Sequence, residues 1–352
     1  MLQCIGMLAA IALTAVCWGV YGPVLHFGRE AMHSPLRPFV CVGLAYFLIA
    51  VLIPLVLLVR SGERGRWSSG GIFWSLIAGA AGALGALGVI LALNFGGKPI
   101  YVMPLVFGGA PVVNTLLTAA MNKSFNQLKA PFLAGLILVI TGAVTVLVFK
   151  PQSTNHTVEP VVRAVATVAG DLAVAPNDEP PLAPTVGKQT ERFVEVLLSV
   201  AMALVCWGAY GPVLHRGQMS MEGSRLRPLI CIGGAYFLIA VLVPLALLSP
   251  LADKGTWDVG GGLWSLAAGS LGALGALGAI LAFACGGKPL TVMPVVFGCA
   301  PVINTLTTLA FAHTQRSDVS PWFLAGMLVV AMGAVTVLIF GPRGHSPVKQ
   351  PA

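Results

Sequence analysis

Long apolar segments separated by short polar loops run the whole length of this chain. About 20 consecutive apolar residues are needed for a helix to cross the hydrocarbon core of a bilayer. By that criterion the sequence predicts an all-α polytopic membrane protein with ten transmembrane helices. The predicted spans are 4–27, 38–59, 71–95, 99–121, 130–149, 194–215, 228–248, 262–285, 289–312 and 321–340.

Charged residues are concentrated between these spans, and only Glu195 falls inside one. Asp, Glu, Lys and Arg form 9% of the chain, whereas a soluble domain averages about 25%. This composition excludes a soluble enzyme and a disordered chain. The net charge of +8 is spread over loops without a basic face. We therefore expect the lipid bilayer as a partner and no nucleic acid.

The chain contains two copies of one unit. The segment CWGVYGPVLHFG from Cys17 recurs as CWGAYGPVLHRG from Cys206, with 10 of 12 residues identical. A cleaved leader would not be part of a repeat, so the first span is expected to belong to the fold. Each copy has five predicted spans, and an odd number makes the second copy enter the membrane from the opposite side. The sequence therefore predicts two inverted five-helix repeats, a plan typical of secondary transporters.

The predicted organisation has four parts. Repeat 1 covers 1–149, a mobile external linker covers 150–193, repeat 2 covers 194–341 and a cytoplasmic tail covers 342–352.

Loop charges predict the orientation of the two repeats. Loop 60–70 carries three basic residues and its counterpart 249–261 carries one. The same bias appears in the other two loop pairs, which are 216–227 against 28–37 and 122–129 against 313–320. Cytoplasmic loops are enriched in Lys and Arg. We therefore expect both termini in the cytoplasm, and a bacterial inner (cell) membrane as the location.

The sequence resembles the drug/metabolite transporter superfamily. Each half opens with a CWG-type helix and carries a proline-rich fourth helix, and the unit looks like an EamA-type domain. The run VMPLVFGGAPVVNTLL from Val102, with its counterpart VMPVVFGCAPVINTLT from Val292, is similar to the fourth helix of bacterial glucose/ribose-uptake porters and ureide permeases. The resemblance covers nearly the whole chain except 150–193 and the tail.

This resemblance implies a central cavity lined by the first, third and fourth helices of each half, with the last helix peripheral. It also implies that the tight turns around Lys98 and Lys288 act as gates. The lysines could form a cationic gate, or they could be anchors at the membrane surface. Members of the superfamily move sugars, amino acids, nucleotide-linked sugars, ureides or toxic amines.

Matched prolines predict interruptions in the first and fourth spans of each half, because proline removes a hydrogen bond of the helix. Paired interruptions are a pointer to a transport site, although simple kinks are an alternative. The predicted helix breaks are at Pro23, Pro212, Pro104, Pro111, Pro294 and Pro301.

Polar and aromatic residues near these prolines are the candidate substrate-binding residues. Asn114 and Asn304 lie at mid-span, where they could bind a polar solute or form an interhelical hydrogen bond. Thr115 and Thr305 follow them. The first helices present matched aromatic residues on one face, which suit a sugar or flat ring or else simply pack. These aromatic residues are Trp18, Tyr21, Trp207 and Tyr210.

The predicted function is secondary transport, without ATP, of a small polar organic solute such as a sugar or related metabolite. The chain has no phosphate-binding G-x-x-x-x-G-K-[ST] loop and no carboxylate deep in a span. We expect no enzymatic activity, since the loops hold no cluster of His, Asp or Glu for acid/base work. We also expect no cofactor or metal, and none of the seven cysteines shows a metal-ligand spacing. Two alternative functions remain: an exporter of amino acids or amphiphilic amines, and a non-transporting scaffold or receptor. A homodimer is a further possibility for the assembly.

Overall fold

The computed structural model describes residues 2–61, 63–95, 99–149, 186–248, 253–311 and 320–340. Of these residues 88% are helical, and none lies in a strand. Seven of the helices are long and apolar enough to cross a membrane, and shorter apolar helices cover 105–121, 130–146 and 321–337. The protein is therefore an all-helical protein of the multi-pass membrane type.

Twelve α-helices lie in the described part of the chain, and they repeat in the same order in each half. The first half contains α1 (Leu2–Met32), α2 (Leu36–Tyr46), α3 (Ile53–Ser61), α4 (Ser69–Asn94), α5 (Pro99–Met121) and α6 (Ala130–Val148). The second half contains α7 (Val186–Ser220), α8 (Leu226–Phe237), α9 (Val243–Leu247), α10 (Val259–Ala284), α11 (Pro289–Phe311) and α12 (Pro321–Phe340).

The helices extend past the apolar spans at several ends. Helix α1 continues to Met32, and α7 begins at Val186 within the segment 150–193 that was predicted as a linker. A helix does not end where its apolar residues end, because polar residues continue it into the interfacial region. The remainder of that predicted linker, 150–185, and the predicted tail lie outside the described residues.

In each half, a π-helical turn interrupts the predicted second span. Phe47–Leu52 joins α2 to α3, and Leu238–Leu242 joins α8 to α9. Pro54 and Pro244 lie two residues after the last residue of each turn. A proline ring collides with the carbonyl four residues earlier, and a wider turn accommodates it. The π turns were not predicted, although the matched prolines carried the signal.

The prolines that were predicted to break helices do not interrupt the described helices. Helices α1 and α7 continue through Pro23 and Pro212, and α11 continues through its two prolines. The backbone of α5 likewise stays helical across Pro104 and Pro111. One missing hydrogen bond does not interrupt a long helix that packs on its neighbours, because the rest of the ladder remains intact.

The two halves exchange their contacts reciprocally. The first helix of each half packs on two helices of the other half, so α1 contacts α10 and α11 while α7 contacts α4 and α5. Helices α2 and α8 contact α10 and α4 in the same manner. The last helices, α6 and α12, pack on each other. These exchanges join the halves into one bundle.

Glycines make these close contacts possible. A Cβ on Gly79 in α4 would lie 2.7 Å from the Cα of Ile232 in α8. Its counterpart Gly269 in α10 meets the backbone of Val42 in α2 at the same distance. Gly88 faces Ser199 in α7 instead. The glycines of α4 recur every three residues, at 79, 82, 85 and 88, and such a spacing spreads them around the helix. They therefore allow close contacts on more than one side of α4.

We expect Gly79→Ala to lower the free energy of unfolding by about 1–3 kcal/mol, because the added methyl group meets backbone that cannot move aside. The matched control is Gly234→Ala in α8, where a Cβ meets nothing within 4 Å. Its expected effect is neutral or stabilising, since alanine favours the helix. Denaturation in detergent measures both changes, and equal effects would contradict this account of the contact.

Candidate functional site

The tryptophans of the first helices reach into the opposite half. Trp18 in α1 donates from Nε1 to the carbonyl of Gly272 in α10 at 3.2 Å. Trp207 in α7 donates to the carbonyl of Gly82 in α4 at the same distance. A Cβ on Gly85 would overlap the indole of Trp207. Both predicted aromatic residues therefore pack between the halves with their N–H groups satisfied.

Three tyrosines complete what we call the central aromatic cluster, which consists of Trp18, Tyr46, Trp207, Tyr210 and Tyr236. The rings of Tyr46 and Tyr236 are stacked with centroids 3.8 Å apart, and Tyr236 donates to the carbonyl of Gly82 at 3.2 Å. Tyr210 lies edge-on to Trp18 at 5.7 Å. The fourth candidate of the predicted platform, Tyr21, is partly buried against the core.

Sequence reasoning missed Tyr46 and Tyr236. Their signal was the matched pair of segments CVGLAYFLIA and CIGGAYFLIA, which keep the tyrosine in both halves.

The two candidate asparagines pack on the glycine of the Gly-Pro pair in the opposite half. Asn114 in α5 is fully buried and lies against Gly211 in α7. Asn304 in α11 is partly buried and lies against Gly22 in α1. The structure thus brings together the predicted asparagines and the predicted proline segments.

Asn114 makes one of its available hydrogen bonds. Its Nδ2 donates to the carbonyl of Pro289 at the start of α11, at 2.9 Å. This is the interhelical bond that the sequence left open as an alternative. Its Oδ1 is buried and finds no partner among the described residues.

The candidate threonines differ from each other. Thr305 donates to the carbonyl of Pro301 at 3.0 Å, as a helical threonine often does. The hydroxyl of Thr115 is buried without a partner in the described chain, and so is the hydroxyl of Tyr210. Together with Asn114 Oδ1, these are three of the buried polar atoms without a partner among the described residues, and they lie on α5 and α7, which pack on each other. Each costs roughly 1–3 kcal/mol unless a polar molecule occupies the site.

Two cavities open at opposite ends of the bundle. The first, which we call the Lys254 cavity, has about 200 Å³ and lies between the α1–α2 turn, the end of α4 and the loop before α10. The second, the Arg216 cavity, has about 260 Å³ and lies between the end of α5, α7 and the start of α11. Phe27 near the end of α1 contacts Phe311 at the end of α11, at 5.3 Å between ring centroids. The end of α1 is therefore remote from the start of α11.

The Arg216 cavity leads towards Asn114. The hydroxyl of Thr118, which lines the cavity, donates to the carbonyl of Asn114 at 2.7 Å. Pro289, the acceptor of the Asn114 side chain, lines the same cavity. Pro212 also lines it, directly after the glycine on which Asn114 packs.

The two predicted gate lysines are described unequally. Lys288 is partly buried in the turn between α10 and α11, where Gly286 has a φ of +89°. Its backbone carbonyl accepts the first hydrogen bonds of α11. Lys98 lies outside the described residues.

A buried ion pair, here called the Arg37 clamp, joins the halves beside the Lys254 cavity. It consists of Ser34, Arg37 and Asp253. Arg37 lies 2.7 Å from Asp253 Oδ1, and Ser34 donates to Asp253 Oδ2 at 2.5 Å. The Ser34 oxygen also accepts the backbone N–H of Leu36 and so caps the start of α2. Asp253 thereby fixes the α1–α2 turn of the other half.

The Glu63 clamp repeats this arrangement at the opposite end, and consists of Glu63, Ser224 and Arg227. Ser224 donates to Glu63 Oε2 at 2.6 Å, and Arg227 lies 3.6 Å from the same oxygen. The backbone N–H of Arg225 donates to Glu63 Oε1 at 2.7 Å. Ser224 follows the end of α7, whose residue Met219 lines the Arg216 cavity.

Sequence reasoning missed both clamps because their charges were taken as ordinary loop charge. The signal was a repeated pair of short motifs: ERGRW from Glu63 matches DKGTW from Asp253, and SPLRP from Ser34 matches SRLRP from Ser224. The conserved pattern within the chain is an acid followed by glycine and tryptophan, and a serine followed by arginine and proline.

Metal ligands do not cluster in the described part of the chain. No group of three or more His, Cys, Asp or Glu residues there could hold a metal ion. The seven cysteines are free, and most are buried or partly buried.

Comparison with known proteins gives a fold without an assignment. No family model matches the chain, and no curated protein matches it. A solved structure described as "Crystal structure of protein" is similar, with a TM-score of 0.62 and 17% sequence identity. The match covers 96% of this chain and 97% of the other. The protein therefore shares its fold with a protein of known structure over nearly its whole length.

Proposed function

We propose that the protein is a secondary transporter that moves a small polar organic solute across a membrane by alternating access. The observation that carries this proposal is the set of unsatisfied polar atoms of Asn114, Thr115 and Tyr210 inside an apolar bundle. A site of this kind favours a polar occupant, because groups in such surroundings need hydrogen-bond partners. The Arg216 cavity leads towards Asn114 through Pro289, and the Lys254 cavity lies at the other end of the bundle.

The proposed topology has ten spans in two inverted repeats. Counting α2–α3 and α8–α9 as one span each gives five per half. Even the short α6, with 19 residues, is about 28 Å long at 1.5 Å per residue, close to the hydrocarbon thickness. The reciprocal helix contacts and the placement of equivalent clamps at opposite ends support this inversion.

In this mechanism the two halves rock about the central aromatic cluster. The Arg37 clamp closes one end and the Glu63 clamp closes the other, and opening one of them admits solute from that side. The turn carrying Lys288 moves with α11 and therefore with Asn114, through its bond to Pro289. Hydroxyls and aromatic rings at the centre suit a sugar or a related metabolite.

The decisive experiment is solute exchange in proteoliposomes. Vesicles loaded with unlabelled sugars, amino acids or nucleosides should take up the labelled form of the transported solute, and protein-free vesicles should not. The same solute should raise the unfolding temperature of the purified protein. Exchange should persist with a protonophore, since the chain has no carboxylate deep in a predicted span. A protein that neither exchanges nor is stabilised by any of these solutes would be a scaffold or receptor.

Cysteine labelling tests the inverted arrangement. In a cysteine-free background, Arg64→Cys and Lys254→Cys should react with an impermeant thiol reagent from opposite sides of the membrane. The reason is that the two positions occupy equivalent loops of the two repeats. Labelling of both positions from the same side would refute the inversion.

A further inference from the structure

The Arg216 cavity has one permanent cation, Arg216, and no carboxylate among its lining residues. A second cation, the partly buried Lys288, directly precedes Pro289, which also lines the cavity. The two described carboxylates at this end are already paired with other arginines. Glu63 belongs to its clamp, and Glu222 pairs with Arg66 at 2.9 Å. The positive charge of the cavity is therefore not neutralised by described residues.

Arg216 is held in a way that leaves its N–H groups available. Its guanidinium lies over the ring of Trp74, 4.6 Å from the centroid. No described carboxylate lies within ion-pair distance of it. A guanidinium stacked on an aromatic face keeps its N–H edge free for bidentate binding of a carboxylate or phosphate.

The start of α11 adds to this field. Pro289, the first residue of this 23-residue helix, lines the cavity. The positive end of a helix dipole favours an anion. Asn122, also in the lining, supplies a neutral hydrogen-bonding group.

The Lys254 cavity has the same sign of charge at the other end of the bundle. Its charged lining residues are Lys254 and Asp253. The Asp253 carboxylate is 5% exposed and already bonded to Arg37 and Ser34. A cation in the cavity at each end would attract an anionic solute from either side.

We propose that the transported solute is a small organic anion, carrying a carboxylate or a phosphate, and that it binds first to Arg216 when it enters the Arg216 cavity. This inference rests on the proposed transport function and adds the charge of the solute. The polar part of the same molecule then occupies the site beside Asn114.

Matched pairs of probes test the charge directly. Unfolding of the full-length protein in detergent is measured with gluconate against glucose, and with glycerol 3-phosphate against glycerol, at constant ionic strength. At least one anion should raise the unfolding temperature, whereas its neutral partner should not. Arg216→Gln should weaken apparent binding of that anion by about tenfold, the effect of losing one charge-assisted hydrogen bond.

Two further variants separate binding from folding. Arg216→Lys keeps the charge and should retain part of the affinity. Arg60→Gln, at an exposed site near the end of α3, should bind like the unaltered protein. Stabilisation by the neutral probes alone, by neither anion, or equally by both members of each pair overturns the inference. Exchange of a neutral solute in proteoliposomes would, in that event, leave the transport function standing.

Discussion

Replacement of Asp253 by Ala should lower the free energy of unfolding by about 3–5 kcal/mol, the range for removing one partner of a buried ion pair. The change leaves Arg37, whose side chain is 13% exposed, without a counter-ion. It also removes the acceptor of Ser34, which caps α2. Denaturation of the purified protein in detergent measures the loss.

An exposed ion pair serves as the control for this prediction. Arg66 and Glu222 form one with side chains 78% and 54% exposed. Glu222→Ala should cost at most about 1 kcal/mol, because water screens such a pair. The double variant Arg37→Leu with Asp253→Leu should recover part of the stability, since no buried charge is left unpaired. A similar loss for Asp253→Ala and Glu222→Ala would contradict the structural role of the clamp.

The clamps should also differ in the end that they close. Asp253→Ala is expected to increase the labelling of a cysteine placed at Leu36, a buried residue that lines the Lys254 cavity. Glu63→Ala is expected to increase the labelling of a cysteine placed at Thr118, a buried residue that lines the Arg216 cavity. If either change exposed both positions equally, the clamps would be general fasteners of the fold and not gates.

Asn114→Ala should reduce solute exchange at least tenfold while changing the free energy of unfolding by only about 1 kcal/mol. The small stability change follows because one interhelical hydrogen bond is lost while one unsatisfied oxygen is removed with it. The large functional change follows if the unsatisfied Oδ1 binds the solute. Exchange in proteoliposomes and unfolding in detergent measure the two quantities separately.

Asn126→Ala is the matched control, because this asparagine is exposed in the turn between α5 and α6. It should leave both exchange and stability unchanged. Asn304→Ala tests the equivalent residue of the second half, which is only partly buried. A variant at Asn114 that loses stability but keeps full exchange would show that the residue serves helix packing alone.

The candidate site was predictable in its residue types but not in its geometry. Mid-span asparagines stand out in a sequence because they are costly in lipid, whatever they contact. The sequence could not decide between a solute contact and an interhelical bond, and in the structure Asn114 has a bonded Nδ2 and a free Oδ1. Trp18 and Trp207, which were predicted to form an aromatic platform for a solute, instead pack between the halves. The glycines that accept their hydrogen bonds lie in the other half, and the sequence does not show this pairing.

The sequence by itself determined the helical, membrane-embedded character of the protein and its twofold repetition. Both depend on local properties, since hydropathy and internal identity can be counted along the chain. Only the tertiary structure decided which helices exchange partners, where the cavities open, and that Arg37 pairs with Asp253. Arg37 and Asp253, for example, are 216 positions apart in the chain. Their energies depend on burial and direction, which the order of residues does not record.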